Sequence, residues 1–201
     1  MNDISHSNTK NKIAIFASGK GSNAENLIKH FNKSTSASVD LVLSNNANAA
    51  VIERAKNLEV ETFVFGKDEL NNSTIVIDKL KDSQIDWIVL AGFLLKFPEN
   101  ILKEYSGRVV NIHPALLPKY GGKGMYGMNV HKAVVENKEK ETGITIHFVN
   151  ENYDEGKIIF QTRTEVLPLD TAEKVALKIN LLEQEHFPRV LEELITKNGN
   201  G

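Results

Sequence analysis

Val109-Val110-Asn111-Ile112-His113-Pro114 is the stretch from which the rest of this chain can be read. Its β-branched residues Val109, Val110 and Ile112 favour a buried strand. Pro114 ends it, because proline has no N–H to give a ladder. Strand side chains alternate faces with period two, so Asn111 and His113 point the same way. A carboxamide and an imidazole therefore converge at a strand end, where open α/β sheets place their ligands. On these six residues alone, the pair reads equally well as a reaction site or as polar groups capping the backbone.

Upstream, apolar runs over 12–17, 39–43, 61–65, 85–91 and 108–112 read as strands. Between them, helical spacing covers 24–31, 47–58, 72–81 and 98–105, the last with Pro98 in its first turn. Ser22 and Glu25 fit a capping box at the first helix start. Alternating strand and helix is the signature of a doubly wound parallel sheet. Downstream the pattern changes. A loop over 114–127 carries four glycines and two prolines, and a helix follows over 128–136. Segments 142–149 and 157–166 read as a hairpin around the loop 150–156, which predicts an antiparallel C-terminal edge on the sheet. A last helix over 171–196 should kink or break at Pro188. With no repeat and no linker, 1–201 reads as one α/β domain with tails at 1–11 and 197–201.

Hydrophobic residues make up 41% and charged residues 25% of the 201-residue chain, an ordinary globular balance. Lys+Arg 24 against Asp+Glu 26 argues against a general nucleic-acid or acidic-membrane surface. There are no cysteines, so disulfides, thiolate catalysis and cysteine-ligated metals are excluded. The polar start MNDISHSNTKNK has no apolar signal core, and the apolar run 87–95 falls well short of the roughly 20 residues of a spanning helix. A cytoplasmic location is the expectation.

Gly19-x-Gly21-x-x-Ala24 formally matches the dinucleotide fingerprint. That motif wants an acidic residue at the end of the second strand, and the residues there are Ser44-Asn45-Asn46. Ser22 and Asn23 instead suit a terminal phosphate cradled at a helix N-terminus. A plain glycine turn before a capped helix is the alternative.

Three segments taken together are specific: SGKGSN at 18–23, NIHPALLPKY at 111–120 and HFVNENYDEGKII at 147–159. The chain resembles the phosphoribosylglycinamide formyltransferases, the folate-dependent transferases of purine biosynthesis, from about 12 to 190. The resemblance implies formyl transfer from 10-formyltetrahydrofolate, as co-substrate, to the amine of glycinamide ribonucleotide. It implies Asn111, His113 and Asp154 as catalytic residues, and Gly21, Ser22 and Asn23 as the phosphate loop. Glu183 matches a nucleotide contact, and Leu94, Leu95, Lys96 and Phe97 match the lining of the folate pocket. The chain departs from the family at Leu94-Leu95, where Met-Arg is frequent, and around 71–73, where a folate-contacting arginine is missing. It also has Glu183-Gln184 where Glu-His is usual, and a glycine-rich 121–125. A deformylase of the same fold, with water as acceptor, is the alternative, and the intact 21–23 loop tells against it.

Amine attack on a formyl carbon builds charge on oxygen and leaves a proton to move. Asn111 is the expected oxyanion donor. His113, with an ordinary pKa of about 6.5, is the expected general acid/base. Asp154, if close, should raise the His113 pKa. No metal is required. His147 reads as a structural histidine, and His131 receives no role. The loop 119–127 is a candidate lid whose Lys119 and Lys123 could meet an anionic ligand. Small-molecule substrates, no nucleic acid, no membrane and a monomer or homodimer complete the expectation.

Overall fold

Alternation along β1 (Asn11–Phe16) sorts Ile13 and Ile15 onto one face of the sheet and Ala14 and Phe16 onto the other, all four fully buried. A strand buried on both faces needs helices above and below it, and the chain supplies both layers. The computed structural model describes residues 10–198. After β1 come α1 (Ser22–Phe31), β2 (Ala37–Ser44), α2 (Ala50–Asn57), β3 (Glu61–Val64), α3 (Lys67–Asn72) and α4 (Ile75–Asp82). Then follow β4 (Trp87–Leu90), α5 (Glu99–Glu104), β5 (Val109–His113), α6 (Met128–Glu136), β6 (Glu141–Phe148), β7 (Ile158–Glu165) and α7 (Ala172–Asn198).

The seven strands form one sheet in the order β3-β2-β1-β4-β5-β6-β7. β1 to β5 run parallel, and β6 is antiparallel to both β5 and β7. The doubly wound sheet with an antiparallel C-terminal hairpin is therefore as expected. One core packs α1, α2, α6 and α7 on the face of Ile13 and Ile15; the other packs α3, α4 and α5 on the face of Ala14 and Phe16. Strand order reverses between β1 and β4, the switch point at which such sheets open a crevice.

Several local expectations are corrected. The capping box at Ser22 does not form: Gly21, in the left-handed region at φ 75, is the N-cap, and Ser22 is already helical. Glu25 instead meets Lys29 and Arg54. α2 starts at Ala50 because an Asn46 turn, closed by Asn48 N–H on Oδ1 at 2.9 Å, occupies the residues before it. The helix expected over 72–81 is α4, which starts only at Ile75; an unexpected α3 precedes it across an extended Ser73, started by Glu69 folding back onto the Gly66 N–H. Pro98 caps α5 from outside rather than sitting in its first turn.

Pro188 lies buried within an unbroken α7. Proline leaves the carbonyl four residues back without its donor. That carbonyl belongs to Gln184, and Asn26 Nδ2 of α1 donates to it at 2.9 Å. The defect in one helix thus becomes the joint that docks the other. Of the expected tails, Asn11 opens β1 and Lys197 and Asn198 complete α7, while 1–9 and 199–201 lie outside the described residues. Among the described residues no helix is long and apolar enough to cross a membrane.

Candidate active site

β5 continues the face of Val109 with Asn111 and His113, so a face that is apolar core at its start turns polar towards its end. Antiparallel pairing places His147 of β6 opposite Asn111 and Thr145 opposite His113. The 150–156 loop folds back over these groups and delivers Asp154, whose backbone sits at φ 57. Asp154 Oδ2 lies 3.6 Å from His113 Nδ1, and its Oδ1 lies 3.6 Å from His147 Nε2 and 3.5 Å from Asn111 Nδ2. The catalytic trio expected from the sequence is therefore brought together, with His147 as a fourth member. His147 is integral to the site and not merely a structural histidine.

The hydrogen bonds set the tautomers. His113 Nε2–H donates to the Tyr120 carbonyl at 2.7 Å, which leaves the Nδ1 lone pair facing Asp154. His147 Nδ1–H donates to the Phe148 carbonyl at 2.8 Å, so its Nε2 accepts from Asn111 Nδ2 at 3.0 Å. The Gly122 N–H donates to Asp154 Oδ2 at 2.9 Å. His113 and His147 are 4% and 2% exposed.

Burial pushes the His113 pKa below its ordinary value, and it wins over the upward pull of Asp154 and of the Tyr120 carbonyl. The expected rise is therefore corrected: Asp154 acts in the anticipated direction and is outweighed. Burial works to raise Asp154 itself, but His147, His113 and the Gly122 N–H together hold it below the usual carboxylate range. His131 of α6 is lowered by burial and then by the charge of His113.

A second cluster forms where the loop after β1 and the start of α1 meet the middle of α7. A Cβ on Gly21 would fall 2.7 Å from the Val51 Cα, so only glycine fits where the loop crosses the start of α2. The first N–H groups of α1 have no intrahelical acceptor and remain for an anion. Asn23 is turned elsewhere: its Nδ2 donates to Glu183 at 3.0 Å, and its buried Oδ1 has no partner. Its carboxamide therefore holds Glu183, while its contribution to an anion site is its backbone N–H. Glu183 is raised by burial against the lowering effect of Asn23. Gln184 Nε2 reaches the Ser22 carbonyl at 3.3 Å, binding α7 to the same turn.

Ser18 joins the two clusters. Its Oγ donates to Asn45 Oδ1 at 2.6 Å and accepts the Leu94 N–H at 3.0 Å, while its own N–H donates to the Gly92 carbonyl at 3.1 Å. Leu94 lines a cavity of about 380 Å³ together with Asn111, His113, Asp154, Lys123 and Tyr126. Leu95, Lys96 and Phe97 line an adjoining slot of about 80 Å³ with Asn150, which shares Phe93, Asn111, Tyr153 and Asp154 with the cavity, so the four expected folate-pocket residues divide between two neighbouring spaces. A wide depression of about 420 Å³ beside His30 and Glu192 includes none of the expected site residues. Lys119 pairs with Glu139 at 2.9 Å, and so only Lys123 of the two loop lysines faces the cavity.

The sequence pattern of the formyl transferase family matches residues 11–191. The phosphoribosylglycinamide formyltransferase of Bacillus subtilis (strain 168) is 33% identical over 195 residues, 94% of this chain and 97% of that protein. The chloroplastic phosphoribosylglycinamide formyltransferase of Arabidopsis thaliana is 39% identical over 189 residues, 90% of this chain; the chain spans 64% of that relative's length. It likewise spans 61% of the chloroplastic enzyme of Vigna unguiculata. Among solved structures, phosphoribosylglycinamide formyltransferase from Bacillus halodurans superposes with a TM-score of 0.84 at 34% identity, covering 93% of this chain and 96% of that one. The enzyme from Anaplasma phagocytophilum gives 0.85 at 31% identity, covering 94% and 89%. A likeness running from β1 into α7 takes in every element that carries a site residue, and the chain belongs to the formyl transferase family, in its phosphoribosylglycinamide formyltransferase branch.

Proposed function

We propose that the chain transfers the formyl group of 10-formyltetrahydrofolate to the amine of 5'-phosphoribosylglycinamide. The observation that carries this reading is the convergence of Asn111, His113 and Asp154 at the end of β5. Its companion is an anion-ready loop, tied to the same cavity through Ser18 and Leu94. The lining of the smaller slot fits a flat heteroaromatic ring: Phe93, Leu95 and Phe97 offer apolar faces, and Asn150 and Lys96 offer polar edges. When bound, the folate supplies the formyl carbon and a nitrogen that leaves with a proton.

The chain's own groups then have separable tasks. One N–H of Asn111 is committed to His147; the other has only the 3.5 Å contact with Asp154 and is free to donate to an oxygen that gains charge. His113, kept neutral by burial, accepts the amine's proton on Nδ1, the nitrogen that carries the lone pair. That proton lands beside Asp154, whose charge stabilises the imidazolium. The first turn of α1, with Gly21, Ser22 and Asn23, receives the phosphate, and Glu183 accepts from a sugar hydroxyl. The reading takes 1–201 as one domain, acting in the cytoplasm on small molecules as a monomer or homodimer.

The test is a formyl-transfer assay in which each substrate is omitted in turn. Formylated product appears only when both are present. Release of formate at the full rate without the amine would replace the transferase by a deformylase.

A further inference from the structure

The loop after β5 reaches His113 through one backbone atom, the Tyr120 carbonyl, and that atom is held from the far side of its own residue. The Tyr120 hydroxyl donates to Glu139 Oε1 at 2.9 Å. Lys119 Nζ donates to the same carboxylate at 2.9 and 3.2 Å. Glu139 stands in the turn between α6 and β6, its N–H bonded to the Val134 carbonyl at 3.1 Å, and is therefore fixed to the frame rather than to the loop. Tyr120 is at φ 57, a left-handed backbone that a bulky side chain avoids unless its surroundings impose it. Here the imposition comes from two sides, Glu139 on the ring hydroxyl and His113 on the carbonyl. Two residues on, the Gly122 N–H meets Asp154 at 2.9 Å, so the same turn orients both members of the His113–Asp154 pair.

Resting on the formyl-transfer reading, we propose that Glu139 is a positioning residue that acts through Tyr120 to hold His113 with its proton on Nε2 and its lone pair towards Asp154. Glu139 itself has no hydrogen bond to His113. The groups that do face the imidazole are Asp154 from the hairpin loop, His147 from β6, His131 from α6 and the Tyr120 carbonyl. Of these, the carbonyl is the one whose place depends on Glu139. The carboxylate is well suited to the task, since Lys119 and the Tyr120 hydroxyl hold it below its ordinary pKa.

The experiment compares Glu139→Ala, Tyr120→Phe, the double variant and Glu139→Gln with the wild type in kcat, KM, pH profile and Tm. Glu139→Ala should lower kcat about tenfold, less than the roughly 10²-fold of a full 1 Å misplacement, with the ribonucleotide KM little changed. Its His113 limb should move to lower pH, because the carbonyl bond is one of the influences holding that pKa up. Tyr120→Phe should produce the same displacement, and the double variant no more than either alone. Glu139→Gln retains an oxygen for the Tyr120 hydroxyl and should restore most of both. An unmoved pH limb in Glu139→Ala and Tyr120→Phe, whatever happens to Tm, would overturn the proposal, as would additive effects in the double variant. Nitrogen-15 NMR of the His113 ring tests the same assignment without turnover. Nε2–H should predominate in the wild type and give way to a tautomer mixture in Glu139→Ala. A wild type that forms no product but shows this NMR change loses the formyl-transfer reading and keeps the clamp; an unchanged tautomer loses the clamp alone.

Discussion

Gly156 offers the sharpest perturbation of the site, because it lies two residues before β7, against the end of β6, and no side chain fits. A Cβ built there would fall 1.7 Å from the Phe148 carbonyl oxygen and 2.7 Å from its carbon, where real contacts essentially never come under 3.0 Å. In Gly156→Ala the two strands must therefore part by at least 1.3 Å at this point, the difference between 3.0 and 1.7 Å. The oxygen that must move is the acceptor of His147 Nδ1, now at 2.8 Å. Released from it, His147 has no reason to keep its proton on Nδ1, and with the proton on Nε2 it cannot accept from Asn111. A displacement of this size at a positioning group corresponds to roughly a 10²-fold loss in turnover. Overpacking should also reduce stability by about 1–3 kcal/mol. At about 2–4 °C per kcal/mol for a chain of this length, Tm should fall by roughly 2–12 °C. Gly143→Ala is the control. Its Cβ would fall 2.0 Å from the Thr162 carbonyl towards the other end of β6, so it should reduce Tm comparably while leaving kcat per folded molecule near the wild type. Formyl-transfer initial rates and thermal melts on the two variants decide the matter. If Gly156→Ala loses Tm as Gly143→Ala does but turns over normally, the Phe148 carbonyl does not hold the site.

Asp154→Asn should lower kcat by about 10²-fold or more and move the His113 limb of the pH profile to lower pH, since the lost charge is an upward influence on that group; an unmoved limb in the pH–rate profile would show the two uncoupled. Glu183→Gln should gain stability relative to the wild type as pH rises. The folded carboxyl has a pKa raised above the ordinary 4.5, so the folded state binds the extra proton, and its contribution is full below 4.5 and lost through the raised value. Melting curves from about pH 4 to 8 check this, and a constant Tm difference between the two proteins would contradict it. Ser22→Ala should weaken the ribonucleotide by about 1.5–3 kcal/mol if the hydroxyl meets a charged phosphate, and leave the folate KM in place. Equal loss for both ligands, measured by calorimetry or KM, would put the phosphate elsewhere.

The alternation of strand and helix carried the fold, because both cores select their residues by the same periods that the sequence displays. α6 appears with the expected bounds, and the antiparallel hairpin appears in the expected place. Errors concentrated where a local hydrogen bond outranked periodicity. Glu25 was available for a capping box and is taken by Lys29 and Arg54, residues one turn and one helix away. Pro188 carried a breaking signal, and its structural consequence was cancelled by Asn26, a partner 158 positions from the carbonyl it satisfies. Arg54 and Asn26 both lie outside a local window.

The site was legible in part for a related reason. Asn111 and His113 declare themselves by period two within one strand, but His147 joins them only through the register of a second strand, and a slip of one residue would turn it to the other face. Tyr120 and Phe148 contribute backbone carbonyls, which every residue possesses, so no residue type marks them. What makes these groups act together is the apolar face on which they sit. Val109 begins it as core, and from Asn111 onward the 150–156 loop lies over it, with His131 of α6 facing His113. Polar groups buried there must satisfy one another, since an unmade hydrogen bond costs about 1–3 kcal/mol. Asn111 relies on His147, His147 on Phe148, His113 on Tyr120, and Asp154 on Gly122. The bonds to the Phe148 and Tyr120 carbonyls each fix a proton on one imidazole nitrogen, which leaves His147 Nε2 to accept from Asn111 and His113 Nδ1 for chemistry. Single substitutions in this set should therefore be strongly non-additive, because removing any member strands the partner whose tautomer it set.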